Sequence, residues 1–175
     1  MKHFDEIYEI AADNYGLVTA AEAKDAGVVG AELHRYVADG RLEHIGHGLY
    51  RLVRRSPAEW DQYAEAVMRV GGDAFLYGES VLAMHGLALV NPPRVTVASA
   101  KRVRRKLPEW IEVVGVVGPV ARTSYDGIPS QTVADALLAC RASVMRERLA
   151  EATDEARSRG LVTRREHERL KGELS

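Results

Sequence analysis

A run of three short helix-like segments followed by a glycine-flanked hairpin opens the sequence, and this order restricts the fold more than any other feature. The hairpin is the stretch EHIGHGLYRL at residues 43–52. Gly46 and Gly48 tolerate positive φ, so a tight reversal between two strands is favourable at this point. Alternation of apolar and polar side chains in residues 48–52 then predicts a half-exposed strand.

The three segments before the hairpin carry ordinary helix signals. Apolar residues at helical spacing predict a first helix over residues 4–15. Thr19 is a favourable N-cap, and Glu22 three residues later completes a capping-box pattern, which predicts a second helix over residues 20–26. A third helix is predicted over residues 29–39, immediately before the hairpin.

This order of elements is typical of a winged helix-turn-helix. In such modules the third helix lies in the major groove of DNA, and the hairpin, or wing, reaches towards the neighbouring backbone or minor groove. On the predicted third helix Leu33, Tyr36 and Val37 would face the core. The outward face then consists of Gly30, Ala31, His34, Arg35 and Ala38. A winged helix used only for protein contacts remains an alternative.

Charge is distributed unevenly along the chain, although the formal net charge is only −1. Residues 1–55 contain 7 Lys and Arg against 9 Asp and Glu, so a DNA-binding module there would depend on local placement of cations. Residues 92–125 contain 7 Lys and Arg against 2 Asp and Glu, and most of these cations lie in KRVRRK, residues 101–106. We predict that this basic run is a functional surface.

The fold class expected for the whole chain is α+β, with the winged helix-turn-helix followed by a mixed domain. Ser56 as N-cap and Pro57 at the first helical position predict a boundary near residue 55, hence domains 1–55 and 56–175. Three segments rich in Val or Ile between residues 94 and 125 predict a small antiparallel sheet. Ser130 is the expected cap of the next helix, and two further helices are predicted at the C-terminal end.

The residue combinations used by common enzymes are not found in the second domain. No strand acid followed by Glu-x-Lys, no Asp-x-Asp, no Walker loop, no Gly-x-Ser-x-Gly elbow and no zinc signature occurs. His34, His44 and His47 have no partner at metal-ligand spacing. We therefore expect no catalytic residues, no metal and no cofactor.

The remaining sequence signals are those of an ordinary globular interior. Cys140 lies in the apolar run ADALLAC and His85 lies among apolar residues, so both are expected to be buried. The charged start of the chain and the lack of a long apolar run predict a cytoplasmic protein without membrane contact.

Four motifs, taken in order, resemble the AbiEi-type antitoxins of type IV toxin-antitoxin systems. They are GRLEHIGHGLYRL at the end of the winged helix, FLYGESVLAMHGL, RVTVAS with the following basic run, and DGIPSQTVADALL leading into EATDEARSRGLVTRRE. The resemblance covers nearly the whole chain. It implies a winged helix that binds inverted repeats in the promoter of its own operon and represses it. It further implies a C-terminal antitoxin domain that counteracts a co-encoded nucleotidyltransferase-like toxin, with direct contact between the two left open.

The resemblance also implies which residues touch DNA. It places the recognition helix at Gly30, Ala31, His34 and Arg35 and the wing at His47 and Arg51. With one threonine and two cations near them added, the predicted DNA-binding set is Thr19, Lys24, Gly30, Ala31, His34, Arg35, Arg41, His47 and Arg51. The predicted basic patch is Lys101, Arg102, Arg104, Arg105 and Lys106. The alternative function is an ordinary winged-helix transcriptional regulator whose C-terminal domain senses a ligand or a protein.

Overall fold

The computed structural model describes residues 2–175 and divides into two compact units, one ending at Arg69 and the other beginning at Val70. The first unit contains four helices and a three-stranded antiparallel sheet of order β1-β3-β2. Its elements are α1 (Lys2–Ala12), β1 (Leu17–Thr19), α2 (Ala20–Asp25), α3 (Gly30–Ala38), β2 (Leu42–Gly46), β3 (Leu49–Leu52) and α4 (Asp61–Val70), the last of which ends at the boundary.

Each of the predicted winged-helix elements forms where the sequence placed it. The Thr19 hydroxyl accepts a hydrogen bond from the backbone N–H of Glu22, and the Glu22 carboxylate accepts one from the Thr19 N–H, so the expected capping box is present. The hairpin reverses at residues 47–48, where Gly48 has a φ of 59°. The sheet and the first three helices enclose a core that includes Ile7, Val18 and Leu33.

The prediction of a half-exposed strand in the hairpin is wrong for β3. This strand is central in its sheet, and both Leu49 and Tyr50 are buried although they face opposite sides. Tyr50 packs in the core with the first three helices. On the other side, α4 lies against the sheet, since its Glu65 bonds to Arg51 of β3.

The predicted helix start at Ser56 and Pro57 is also wrong. The helix begins at Asp61, whose carboxylate accepts hydrogen bonds from the Ala58 N–H at 3.0 Å and from the Arg55 guanidinium at 3.0 Å. These bonds hold residues 55–60 as an irregular segment. Asp61 and Glu65 of α4 pair with Arg55 and Arg51, and the first compact unit extends to Arg69.

The second unit is built on a five-stranded sheet of order β6-β5-β4-β8-β7, and its last four strands in chain order, β5 to β8, lie between helices α5 and α6. The expected α+β class is confirmed. Its elements are β4 (Phe75–Leu76), α5 (Glu79–Met84), β5 (Val95–Ser99), β6 (Ile111–Gly115), β7 (Arg122–Tyr125), β8 (Ile128–Gln131), α6 (Val133–Ala139), a single 3₁₀ turn at Cys140–Ala142, α7 (Arg146–Ser158) and α8 (Arg164–Glu173).

Strand directions in this sheet differ from the antiparallel arrangement expected from the sequence. β5 pairs with β6 in parallel, with Val95 opposite Ile111, and β4 pairs with β8 in parallel. A parallel pair of neighbouring strands requires the connection to return along the sheet, and residues 100–110 provide it. Ser130 lies buried within β8, and Thr132 caps α6 instead of Ser130.

The interior of the second unit includes the two residues expected there, Cys140 and His85, both buried. Burial raises the pKa of the Cys140 thiol to about 12. Within residues 2–175, no helix is both long enough and apolar enough to span a membrane.

Candidate nucleic-acid interface

The orientation of α3 is set by its buried residues. Leu33 and Tyr36 are 2% and 4% exposed and pack in the core of the first unit. The Tyr36 ring makes an edge contact with the ring of Phe4 in α1, with centroids 5.1 Å apart. Because an α-helix turns once every 3.6 residues, fixing this side of α3 exposes the opposite side.

The exposed side of α3 consists of the residues that the periodicity predicts. Gly30, Ala31, His34, Arg35 and Ala38 are all exposed. The Arg35 side chain is 62% exposed, and its guanidinium lies 3.9 Å from the carboxylate of Glu32 in the same helix. This contact is long and open to solvent, so the guanidinium is available to an incoming acceptor.

The acidic residue of α3 is held by neighbouring groups and does not project freely from the exposed side. One oxygen of Glu32 lies 2.8 Å from Nδ1 of His3 in α1, and the other accepts the Val29 N–H at 3.2 Å. The hydrogen bond to His3, followed by that to Val29, lowers the pKa of Glu32. The carboxylate is therefore directed towards α1 and towards the start of its own helix.

Two predicted DNA-binding residues, Thr19 at the N-cap of α2 and Lys24 within this helix, have different surroundings. The Thr19 hydroxyl donates to Glu22 at 2.8 Å and accepts from its N–H at 3.1 Å. Thr19 therefore acts as a helix cap, and both bonding directions of its hydroxyl are used. Lys24 is exposed in the last turn of α2 and forms no salt bridge with any part of the chain that the structure describes.

Arg41 follows α3 and packs against α1. Its guanidinium lies over the ring of Phe4, 4.8 Å from the centroid, in a cation–π contact. The residue remains exposed. Its position is defined by α1, not by the exposed side of α3.

The wing carries an exposed histidine but no free arginine. His47 is exposed at the turn of the hairpin, and the neighbouring His44 packs on the Tyr50 ring at 4.9 Å. Arg51, which the resemblance placed at the DNA, bonds to Glu43 at 2.8 Å and to Glu65 at 3.1 Å. These carboxylates, with the Glu43 hydrogen bond the largest contribution, raise the pKa of Arg51. Arg51 is therefore paired with two carboxylates of its own chain, which the prediction did not include.

The basic run forms part of the connection between the parallel strands β5 and β6. Its five cations, Lys101, Arg102, Arg104, Arg105 and Lys106, are all exposed. The run begins in a turn closed by Ser99, whose hydroxyl donates to the Lys101 carbonyl at 3.0 Å and accepts the Lys101 N–H at 3.2 Å. This basic run belongs to the second unit, and α3 and the wing belong to the first.

Within residues 2–175, no group of three or more His, Cys, Asp or Glu side chains is placed to hold a metal ion. A residue outside the predicted DNA-binding set is Val29, the N-cap of α3, which is 59% exposed. Its signal in the sequence was an apolar residue at a position where Ser, Thr, Asp or Asn is favoured.

Comparisons with known proteins point to a regulator. Residues 5–53 match the family model described as "Transcriptional regulator, AbiEi antitoxin". Among solved structures, the RV2827C protein from Mycobacterium tuberculosis aligns with 14% identity and a TM-score of 0.49, over 97% of this chain and 71% of that one. No curated protein has a significantly similar sequence. The matched residues include α1 to α3 and the hairpin, so the resemblance to AbiEi antitoxins is confirmed for the part of the chain that carries the candidate interface.

Proposed function

We propose that this protein is a DNA-binding antitoxin of a type IV toxin-antitoxin system. In this proposal it binds inverted repeats in the promoter of its own operon, represses that operon, and counteracts a co-encoded nucleotidyltransferase-like toxin. The main supporting observation is the exposed side of α3, which has two hydrogen-bonding side chains, His34 and Arg35, and lies within the residues that match the family model.

The chemistry of this side suits the major groove of B-DNA, which is wide enough for an α-helix. A guanidinium can donate two parallel hydrogen bonds to O6 and N7 of guanine, so Arg35 is the residue proposed to contact a base edge. Lys24 and His47 are exposed on α2 and the wing, and we propose that they contact phosphates. Acids outnumber cations in residues 1–55, so binding depends on this local arrangement.

We further propose that the two activities are divided between the two units. DNA binding would reside in the unit ending at Arg69, and antitoxin activity in the unit beginning at Val70. The ion pairs of α4 with Arg51 of the wing and with Arg55 support placing residues 56–69 with the DNA-binding part.

The DNA-binding proposal is tested by two substitutions at one position. Arg35→Ala should weaken binding to DNA from upstream of the operon by about 1 to 3 kcal/mol and relax the sequence preference, as expected when a base-edge contact is lost. Arg35→Lys keeps the charge but not the planar pair of donors, so it should lose the preference while retaining most of the non-specific affinity. Fluorescence anisotropy over a salt series measures both effects. Unchanged affinity and preference in both variants would contradict the assignment of α3.

The antitoxin proposal is tested in cells. Expression of the full chain beside the neighbouring toxin gene should restore growth and repress a reporter under the operon's promoter. Repression without protection would favour the alternative, a winged-helix regulator whose second unit senses a ligand or a protein.

A further inference from the structure

A cleft of about 390 Å³ lies beside α1 in the first unit. Phe4 and Tyr8 of α1 contribute aromatic rings to its lining. Arg41, which follows α3, and Arg54, which follows β3, contribute cations. The Arg41 guanidinium lies over the Phe4 ring, 4.8 Å from its centroid, and the Arg41 carbonyl accepts a hydrogen bond from the Val53 N–H at 3.1 Å. These contacts fasten the two arginine-bearing segments to each other and to α1.

Both arginines of the cleft can pair with a carboxylate from outside the chain. Arg41 and Arg54 are exposed, and neither forms a salt bridge with any residue between positions 2 and 175. Asp39 is the single acid in the lining, against two guanidinium groups, so the cleft carries a net positive charge. Charge-assisted bonds to carboxylates are among the stronger polar contacts that arginine makes. An acidic partner surface is therefore the kind that this cleft fits.

The outer side of α1 carries such an acidic surface. Asp5 and Glu9 are exposed, lie four residues apart in one row, and form no salt bridge within the part of the chain that the structure describes. They directly follow Phe4 and Tyr8, and one residue turns an α-helix by about 100°, so the acidic row lies beside the aromatic row. Ile7, on the other side of the aromatic row, is buried, so the acids lie on the side away from the core. Tyr8 is 50% exposed between the cations of the cleft and the acids of α1.

We infer that this surface binds the same surface on a second copy of the chain. It contains three strips in order, namely the cations Arg41 and Arg54, the Tyr8 ring, and the acids Asp5 and Glu9. A two-fold axis through the middle strip reverses this order, so the cations of each copy meet the acids of the other and the two Tyr8 rings pack together. Charge complementarity of this kind selects a second copy as the partner. The inference does not require DNA binding, although a two-fold pair of chains would match the symmetry of inverted repeats.

Sedimentation equilibrium of the full chain, without DNA, tests this pairing. Over a range of protein concentrations it should show a reversible monomer–dimer equilibrium that weakens as salt is added. Arg54→Glu and Glu9→Lys should each raise the dimer dissociation constant by about ten-fold or more, because each places like charges together at two symmetric contacts. Asp25→Lys is the matched control, since Asp25 is exposed on α2 and does not line the cleft. It makes the same change in net charge as Glu9→Lys and should leave the dissociation constant unchanged.

A mixture of the two charge-reversed variants completes the test. An equal mixture of the Arg54→Glu and Glu9→Lys chains should associate more tightly than either variant alone, because in the mixed pair the new glutamate meets the new lysine and the other contact keeps the parent charges. Circular dichroism shows whether each variant is folded, as expected for substitutions at exposed residues. A parent chain that stays monomeric would overturn the inference and leave this surface to a different protein. A dimer unaffected by both reversals, or a mixture that associates no better than its components, would overturn it as well, and none of these results bears on DNA binding by α3.

Discussion

Arg51 offers a direct choice between an internal ion pair and a DNA phosphate contact. Its guanidinium joins Glu43 at 2.8 Å and Glu65 at 3.1 Å, and Glu65 also accepts from Arg69 at 2.8 Å. The Glu65 side chain is only 14% exposed, whereas Glu43 is 56% exposed. We expect Arg51→Met, which keeps the aliphatic stem but removes the charge, to destabilise the first unit.

The size of the effect follows from the exposure of each partner. The pair with Glu43 is exposed on the carboxylate side and contributes less than about 1 kcal/mol. Loss of the charge-assisted hydrogen bond to the largely buried Glu65 costs about 1.5 to 3 kcal/mol. Because Arg69 still holds one oxygen of Glu65, we expect the low end of that range, and a total of about 2 kcal/mol.

The assay is urea unfolding monitored by the fluorescence of Trp60, which precedes α4 in the first unit. A Trp110→Phe background removes the other tryptophan, which lies in the second unit. Glu43→Gln is the matched control and should change the free energy of unfolding by less than about 1 kcal/mol. A double-mutant cycle of Arg51→Met with Glu65→Gln should give a coupling energy of at least about 1 kcal/mol.

DNA-binding measurements test the other role of Arg51, a contact with a DNA phosphate. If Arg51 neutralises a phosphate, Arg51→Met should make the slope of log affinity against log salt concentration less negative by about 0.9. We expect the salt dependence of DNA affinity to be unchanged when it is measured without urea, at a temperature at which the variant is folded. A less negative slope together with an unchanged free energy of unfolding would refute the internal role of Arg51.

Three further predictions concern the second unit. Burial lowers the pKa of His85 from 6.5 to about 4, so between these pH values the unfolded chain binds a proton that the folded chain does not, and the free energy of unfolding falls as the pH decreases. The His85→Phe variant, which retains a ring beside Tyr125, is the reference. Across this pH window the free energy of unfolding of the parent, measured with urea, should fall by up to about 3 kcal/mol more than that of the variant. Parallel plots of the free energy of unfolding against pH for the two proteins would contradict this prediction. The second prediction concerns four cations of the basic run, Lys101, Arg102, Arg104 and Arg105. Their replacement by serine should change the free energy of unfolding by less than about 1 kcal/mol but impair promoter binding or toxin neutralisation. Wild-type behaviour in both assays would show that the run only keeps this surface solvated. Residues 70–175, produced alone and shown by circular dichroism to be folded, should protect cells from the toxin without repressing the promoter, and a folded fragment that fails to protect while the full chain protects would show that the two units depend on each other.

The local signals of the sequence predicted the first three helices and the hairpin turn of the first unit correctly. The capping box of Thr19 and Glu22 involves hydrogen bonds between residues three positions apart, so it depends on nothing beyond that segment. The outward side of α3 follows from helical periodicity, and the exposed residues Gly30, Ala31, His34 and Arg35 agree with it. The reversal at Gly48 likewise depends on the positive φ of one residue.

Other features depend on segments that are distant in sequence and were decided by tertiary packing. Side chains alternate in the same way in parallel and antiparallel strands, so the Val- and Ile-rich pattern of β5 and β6 could not indicate their parallel pairing. Arg51 meets Glu65 only because α4 folds back on β3, 14 residues later in the chain. Sequence alone therefore determined which residues α3 presents outward, because one helix period defines them. The tertiary structure decided that Arg51 is paired within the protein, because Glu43 and Glu65 belong to β2 and α4, which fold against its strand.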